Sequence, residues 1–284
     1  MTVTALGTPV PMERTAPLSN ITRFAQVVDR PESAIDLGEA ALLIAEDVHR
    51  GLDISRYLRR LDEIAAPLRG REDDDSPLER RVRQLNGHLF GELGFRGNRE
   101  DYYDPRNSYL NEVLDRRLGI PITLSVVYIE VARRLGLTVV GIGLPGHFLV
   151  EARRDTSSLL LDPFNGGESL TLEDCERLVE DAYGASLPFS EDQLRPVRKR
   201  EILARMLNNL KGNYLTRDQP NRAWPVIEKM LHLNPDSPLD HRDRGLLAYR
   251  ANRFAEARAD LRFYLERQPD APDRVAIRSS LAAV

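Results

Sequence analysis

The chain has a single cysteine, Cys175, so no intramolecular disulfide can form and a disulfide-stapled secreted scaffold is excluded. No apolar run approaches the length needed to cross a bilayer as a helix. An excess of one charge is also missing. Forty Lys and Arg against 44 Asp and Glu leave −4, so no broad field draws the chain to nucleic acid or to an anionic membrane. His49, His88, His232 and His241 show no metal-ligand spacing and there is no cysteine cluster, so neither a metal nor a cofactor is expected. The first residues lack a charged-then-apolar signal layout. Rich in Thr and Pro, residues 1–18 read as a flexible arm, and the expected compartment is the cytoplasm.

What is present is enough apolar material, 42% of 284 residues, for one large core or two ordinary ones. From Asp36 to His49 the apolar residues Leu37, Ala40, Leu42, Leu43 and Val48 form a broad helical stripe. From Ile54 to Leu68, Leu58, Leu61, Ile64 and Ala65 share one face. The charged gap from Gly70 to Ser76 lacks the glycine and distal glutamate of a calcium loop and reads as a solvated turn. A third helix is predicted from about Pro77 to before Gly94.

The loop GFRGNREDYYDPRN, Gly94 to Asn107, carries Phe95, Tyr102 and Tyr103, which argue for a loop packed onto the body. A short helix follows, with Ser108 as its expected N-cap. Pro121 suits the first position of the next, strongly apolar helix, which Gly136 ends. Three short runs then alternate with turn signals: Thr138 to Ile142, Phe148 to Ala152 and Ser158 to Leu161. A helix followed by an antiparallel meander predicts an α+β domain. Thr171 is a plausible cap for a further helix, and the basic run RPVRKR, Arg195 to Arg200, reads as a solvated linker at a domain junction.

Near the C-terminus Pro235-Asp236-Ser237-Pro238 recurs 34 residues later as Pro269-Asp270-Ala271-Pro272, with Ala223 matching Ala257 and Ile227 matching Leu261. With Gly245 and Tyr249 in the second copy, this resembles the tetratricopeptide repeat; the first copy has Lys211 at the glycine position. Such repeats imply a surface for a protein partner, or a buttress for the front domain.

Chemistry-bearing residues gather in the front part. A helix start, then His147 in LPGHFLVEA, then Asp162 in LLLDPFNGG follow the order used by thiol acyl-transfer enzymes of the transglutaminase and papain type. The runs LNGHLFGELGFRGNREDYYDPRNSYLNEVLDRRLGIPITLS, GLPGHFLVEA, LLLDPFNGG and MLNNLKGNYL together resemble the bacterial SirB-type transglutaminase-like family with C-terminal tetratricopeptide repeats. The resemblance implies a front domain over 19–195, built of N-terminal helices and a papain-like helix and sheet, and an all-α repeat region over 196–284. It places His147 at the base position and Asp162 at the orienting position of the triad. The nucleophile position falls on Pro121, which has no thiol, hydroxyl or amide hydrogen.

Thr123 and Ser125 point away from that position, and Cys175 reads first as a small buried residue. Tyr103, Asp104, Asn107, Asn111 and Asn165 are the candidate pocket residues, with Asn98 and Asn107 also readable as turn formers. Three functions stay open: a non-catalytic adaptor with protein-binding repeats, an unconventional hydrolase or acyltransferase using Cys175 or a substrate-bound nucleophile with His147 and Asp162, and a small-molecule sensor occupying the old cleft.

Overall fold

The computed structural model describes residues 18–70 and 76–282. The arm expected over 1–18 lies almost wholly outside them, as do residues 71–75 of the charged gap. The chain divides into two compact units: Val27–Met206, and Leu207–Val284 together with Met1–Gln26.

In the first unit, α2 (Leu37–Ala45) is capped by Asp36, whose carboxylate accepts the Glu39 amide at 2.8 Å; every α2 residue but Glu39 is buried. Helix α1 (Leu18–Val28) precedes it and crosses the division between the units. Helix α3 (Ile54–Ala65), capped by Asp53, buries Ile54, Tyr57, Leu61 and Ile64 at three- and four-residue spacing. Helix α4 (Leu78–Asn86) runs directly into a π-helical turn, Gly87–Glu92. The two-residue strands β1 (Arg96–Gly97) and β2 (Leu118–Gly119) pair in parallel, closing the loop and α5 (Leu110–Arg116) between them.

Ser108 does not cap α5. It ends a 3-10 turn, Pro105–Ser108, that Asp104 caps through the Arg106 amide, and α5 is entered from Tyr109. The turn has already set the chain on a helical course, so Ser108 is displaced from the cap position, and its Oγ is buried without a hydrogen-bond partner.

Helix α6 (Pro121–Arg134) is buried along nearly its whole length, and Gly136 ends it at φ +68°. An antiparallel sheet follows: β3 (Thr138–Ile142), β4 (Leu149–Arg154), β5 (Ser157–Asp162), β6 (Glu168–Leu170) and β7 (Pro196–Val197), in the order β6-β5-β4-β3-β7. Val150 pairs with Gly141 on one side and Leu161 on the other. Helix α7 (Leu172–Tyr183) starts at a capping box, Thr171 with Asp174, and places Cys175 and Val179 against Ile142, Leu144 and Leu149. The expected α+β architecture is the observed one.

The second unit is helical. Helix α8 (Lys199–Thr216) continues into it from Leu207, followed by α9 (Pro220–Leu233), α10 (Pro238–Arg250), α11 (Phe254–Arg267) and α12 (Arg274–Ala282). Proline opens α9 and α10, where its missing amide costs nothing. Ala223 and Ala257 are fully buried at equivalent places. Gly245 is required by close approach, since a Cβ there would lie 2.8 Å from Leu261. At the matching place in the first copy, the Lys211 ammonium reaches Asp240 at 2.7 Å and Asp243 at 3.0 Å.

Candidate functional site

Asp162 ends β5 almost fully buried, at 1% exposure. Its carboxylate accepts the amides of Phe164 at 2.9 Å and Asn165 at 3.3 Å, which folds the turn Pro163–Asn165. It also accepts the Asn165 side-chain amide at 2.8 Å and His147 Nε2 at 2.8 Å. His147 sits on the turn between β3 and β4, where its own amide donates to Leu144 O at 3.1 Å. Arg205 clamps that turn, donating to Leu144 O at 2.7 Å and His147 O at 2.5 Å while lying 5.3 Å over the Phe148 ring. Burial pulls the Arg205 guanidinium below its usual range. Gly146 is needed at φ +73°, where a Cβ would strike Ala182 at 2.5 Å.

With Asp162 on Nε2, the neutral imidazole carries its proton there and presents a lone pair at Nδ1. That nitrogen has no hydrogen-bond partner among the described residues. The Phe164 ring meets the imidazole edge at 6.1 Å. On the outer side, the Arg99 guanidinium lies 5.3 Å over Phe164 and donates to Asn165 Oδ1. Gly97 permits this packing, because a Cβ there would come within 2.5 Å of Phe164.

Helix α6 packs on the turn Pro163–Asn165, and its start is fixed from the other side. It is held by the Asn98 amide on Gly119 O at 2.9 Å, and by Thr123, whose hydroxyl accepts the Ile120 amide and donates to Asn107 O at 2.7 Å. Pro121 brings this helix start no polar side-chain atom and no amide hydrogen. Cys175 is fully buried in the apolar cluster under the sheet. Burial first, then the charges of Asp174 and Asp162, push its thiol up to about 11, so it is not a thiolate near neutral pH. It makes no hydrogen bond to His147 among the described residues.

Of the pocket candidates, Asn165 donates to the same Asp162 oxygen that His147 meets. Tyr103 is 71% exposed and meets Tyr102, which in turn meets Phe164 at 6.1 Å. Asp104 is turned to Arg106 at 2.7 Å and Arg116 at 3.6 Å; burial opposes ionisation, but these partners hold its carboxyl below the usual range. Asn107 donates to Asp101 O and Tyr102 O and accepts from Asn98 and, at 3.4 Å, from Arg116, so its side chain ties the loop to itself and to the end of α5. Asn111 is buried and leaves Oδ1 without a partner. Arg99, Phe164 and Arg205 escaped the sequence reading; the glycine at 97, cleared for a ring, was the one available hint.

Among the described residues no group of His, Cys, Asp and Glu could hold a metal ion, and no helix is long and apolar enough to cross a membrane. Two clefts, of about 160 and 220 Å³, lie elsewhere in this unit and are lined by none of Pro121, His147 or Asp162.

Residues 55–208 match the transglutaminase-like superfamily, and residues 210–282 match the tetratricopeptide repeat. A UPF0162 protein of Xylella fastidiosa (strain 9a5c) is 38% identical over 253 residues, covering 88% of this chain and 90% of that protein. The UPF0162 protein YchA of Escherichia coli (strain K12) is 26% identical over 246 residues, 86% of this chain and 91% of its own. F-box only protein 21 of Mus musculus is 35% identical over 134 residues, 44% of this chain and 20% of that protein. No solved structure matches the chain.

Proposed function

The chain belongs to the transglutaminase-like superfamily, with tetratricopeptide repeats at its C-terminal end, and from that premise we propose that it is a cytoplasmic, non-catalytic adaptor. The observation that carries this is Pro121. The base and its orienting carboxylate stand in hydrogen-bonded register at 2.8 Å, yet the helix start that would present the nucleophile offers proline. Cys175 does not replace it, because its sulfur is buried among Ile142, Leu144, Leu149 and Val179. Binding then falls to the repeats, which expose Leu239, Phe254 and Val275.

Two measurements on the full chain test this. Amine incorporation into a glutamine-donor peptide is expected to stay at the blank rate; turnover that disappears in His147→Ala would overturn the non-catalytic reading. Leu239→Glu with Phe254→Glu is expected to abolish retention of a protein partner without moving the thermal midpoint. Unchanged retention would remove the repeats as the binding surface.

A further inference from the structure

The larger cleft, about 220 Å³, lies away from His147 and is framed by three elements of the first unit. Helix α3 contributes Arg60, Glu63 and Ile64, with Pro67 just beyond it. The π-helical turn contributes His88, with Leu93 just past its end, and the end of α5 contributes Leu114 and Arg117. Together with Phe95, the floor is apolar: Ile64, Phe95 and Leu114 line it, each presenting only a small part of an otherwise buried side chain.

Two backbone departures from regular structure converge here. The π turn carries the i+5 bond from the Leu93 amide to His88 O at 2.9 Å, and turns of this kind mark functional sites more often than ordinary helix does. It lets His88 wall the cleft with both ring nitrogens engaged, Nε2 on Ile64 O at 2.9 Å and Nδ1 on Glu92 at 2.6 Å. Arg117 sits at φ +59°, a left-handed conformation that glycine or asparagine would take more easily. Its Nη1 donates to Leu93 O at 2.7 Å, which fixes the guanidinium at the rim.

The rim charges are unspent. Arg60 and Glu63 lie one turn apart on α3, and neither has a hydrogen bond or ion pair among the described residues. Two guanidinium groups and one carboxylate around an apolar floor are complementary to a molecule carrying one carboxylate, one ammonium and a short hydrocarbon body. The cleft, about 220 Å³ and open to solvent, has room for the body of a molecule of that size.

We propose that this cleft binds a free aliphatic α-amino acid such as leucine, its carboxylate between Arg60 and Arg117, its ammonium on Glu63, and its side chain on Ile64, Leu93, Phe95 and Leu114. The site is independent of the His147 pair, and its failure leaves the adaptor reading untouched.

Calorimetric titration of the full chain with L-leucine, 4-methylpentanoate, leucinamide and glycine tests this. Leucine is expected to bind, with the two truncated analogues and glycine each weaker. Arg60→Ala is expected to weaken leucine and 4-methylpentanoate about tenfold while sparing leucinamide. Glu63→Gln is expected to weaken leucine and leucinamide and to spare 4-methylpentanoate. Both side chains are exposed and unpartnered among the described residues, so neither variant endangers folding. No binding of leucine up to about 10 mM, below which specific recognition is measurable, would overturn the proposal. So would an equal response to glycine, or leucine binding unchanged in Arg60→Ala.

Discussion

Asp162 in the first unit and Lys211 in the second each hold a buried charge, but the two clusters close differently. Lys211 lies between Asp240 and Asp243, Asp243 is bound by Arg242, and Arg242 continues to Asp273, which accepts the Tyr264 hydroxyl. Each named partner faces another charge or donor of the same unit. At Asp162 the carboxylate is equally well satisfied, but His147, at 13% exposure, has one nitrogen engaged and the other without a partner among the described residues. A closed ionic cluster sets the register of helices; one that keeps an open valence facing outward is where a second molecule is recognised or transformed. On the proposed reading the front site therefore retains the form of chemistry with one part missing, whereas each charge named in the repeat cluster is paired within it.

The largest expected effect that probes this contrast is at Lys211. Lys211→Met takes the cation from Asp240 and leaves Asp243 with Arg242 alone, and is expected to cost about 3–5 kcal/mol, read as a lower denaturation midpoint. Adding Asp240→Asn and Asp243→Asn is expected to restore much of the loss; a neutral single variant would break the comparison. Burial pulls the Lys211 ammonium down, but Asp243 and Asp240 outweigh it and hold the group above the ordinary lysine range. Its folded value is the higher one, so its stabilisation is complete at neutral pH. It fades only as pH rises past the ordinary lysine range toward the folded value. Urea midpoints between neutral and strongly alkaline pH, wild type against Lys211→Met, are expected to converge at the alkaline end.

Next comes Asp162→Ala, which strands the Phe164 and Asn165 amides and is expected to cost about 1–3 kcal/mol. His147→Ala removes a single bond to the same carboxylate and is expected to cost about 0.5–1.5 kcal/mol. Were His147→Ala as damaging as Lys211→Met, the imidazole would be framework too. The smallest change concerns Cys175. With its thiol at about 11, about one molecule in a thousand carries thiolate at pH 8, so alkylation of the native chain is expected only at the rate of unfolding. Rapid labelling would mean that the sheet opens above α7.

Much of this architecture was legible in the sequence because it depends on local periodicity. The stripes of α2 and α3, the short β-branched or apolar runs of β3 to β5, the proline opening α6 and the 34-residue repeat are short-range signals. The edge strands β6 and β7 were not, since three and two residues carry no usable alternation. The π turn was not, because one extra residue per turn barely disturbs an apolar stripe. At the site, His147, Asp162 and Pro121 could be placed by order along the chain. Arg205, 58 residues from His147, and Arg99, 66 from Asn165, meet their partners only through tertiary folding, and no local pattern announces them.

On the proposed reading, proline at 121 removes more than a nucleophile. A backbone N–H at a helix start can hold the negative oxygen that develops as a carbonyl becomes tetrahedral, and position 121 has none to give. One pyrrolidine ring therefore deletes both the attacking atom and one stabiliser of the oxyanion, while adding the stiffness that starts α6 cleanly. The two losses are separable: Pro121→Ala returns the amide alone, and Pro121→Cys returns amide and thiol together. The difference between these variants isolates what the thiol would add beside an already poised His147.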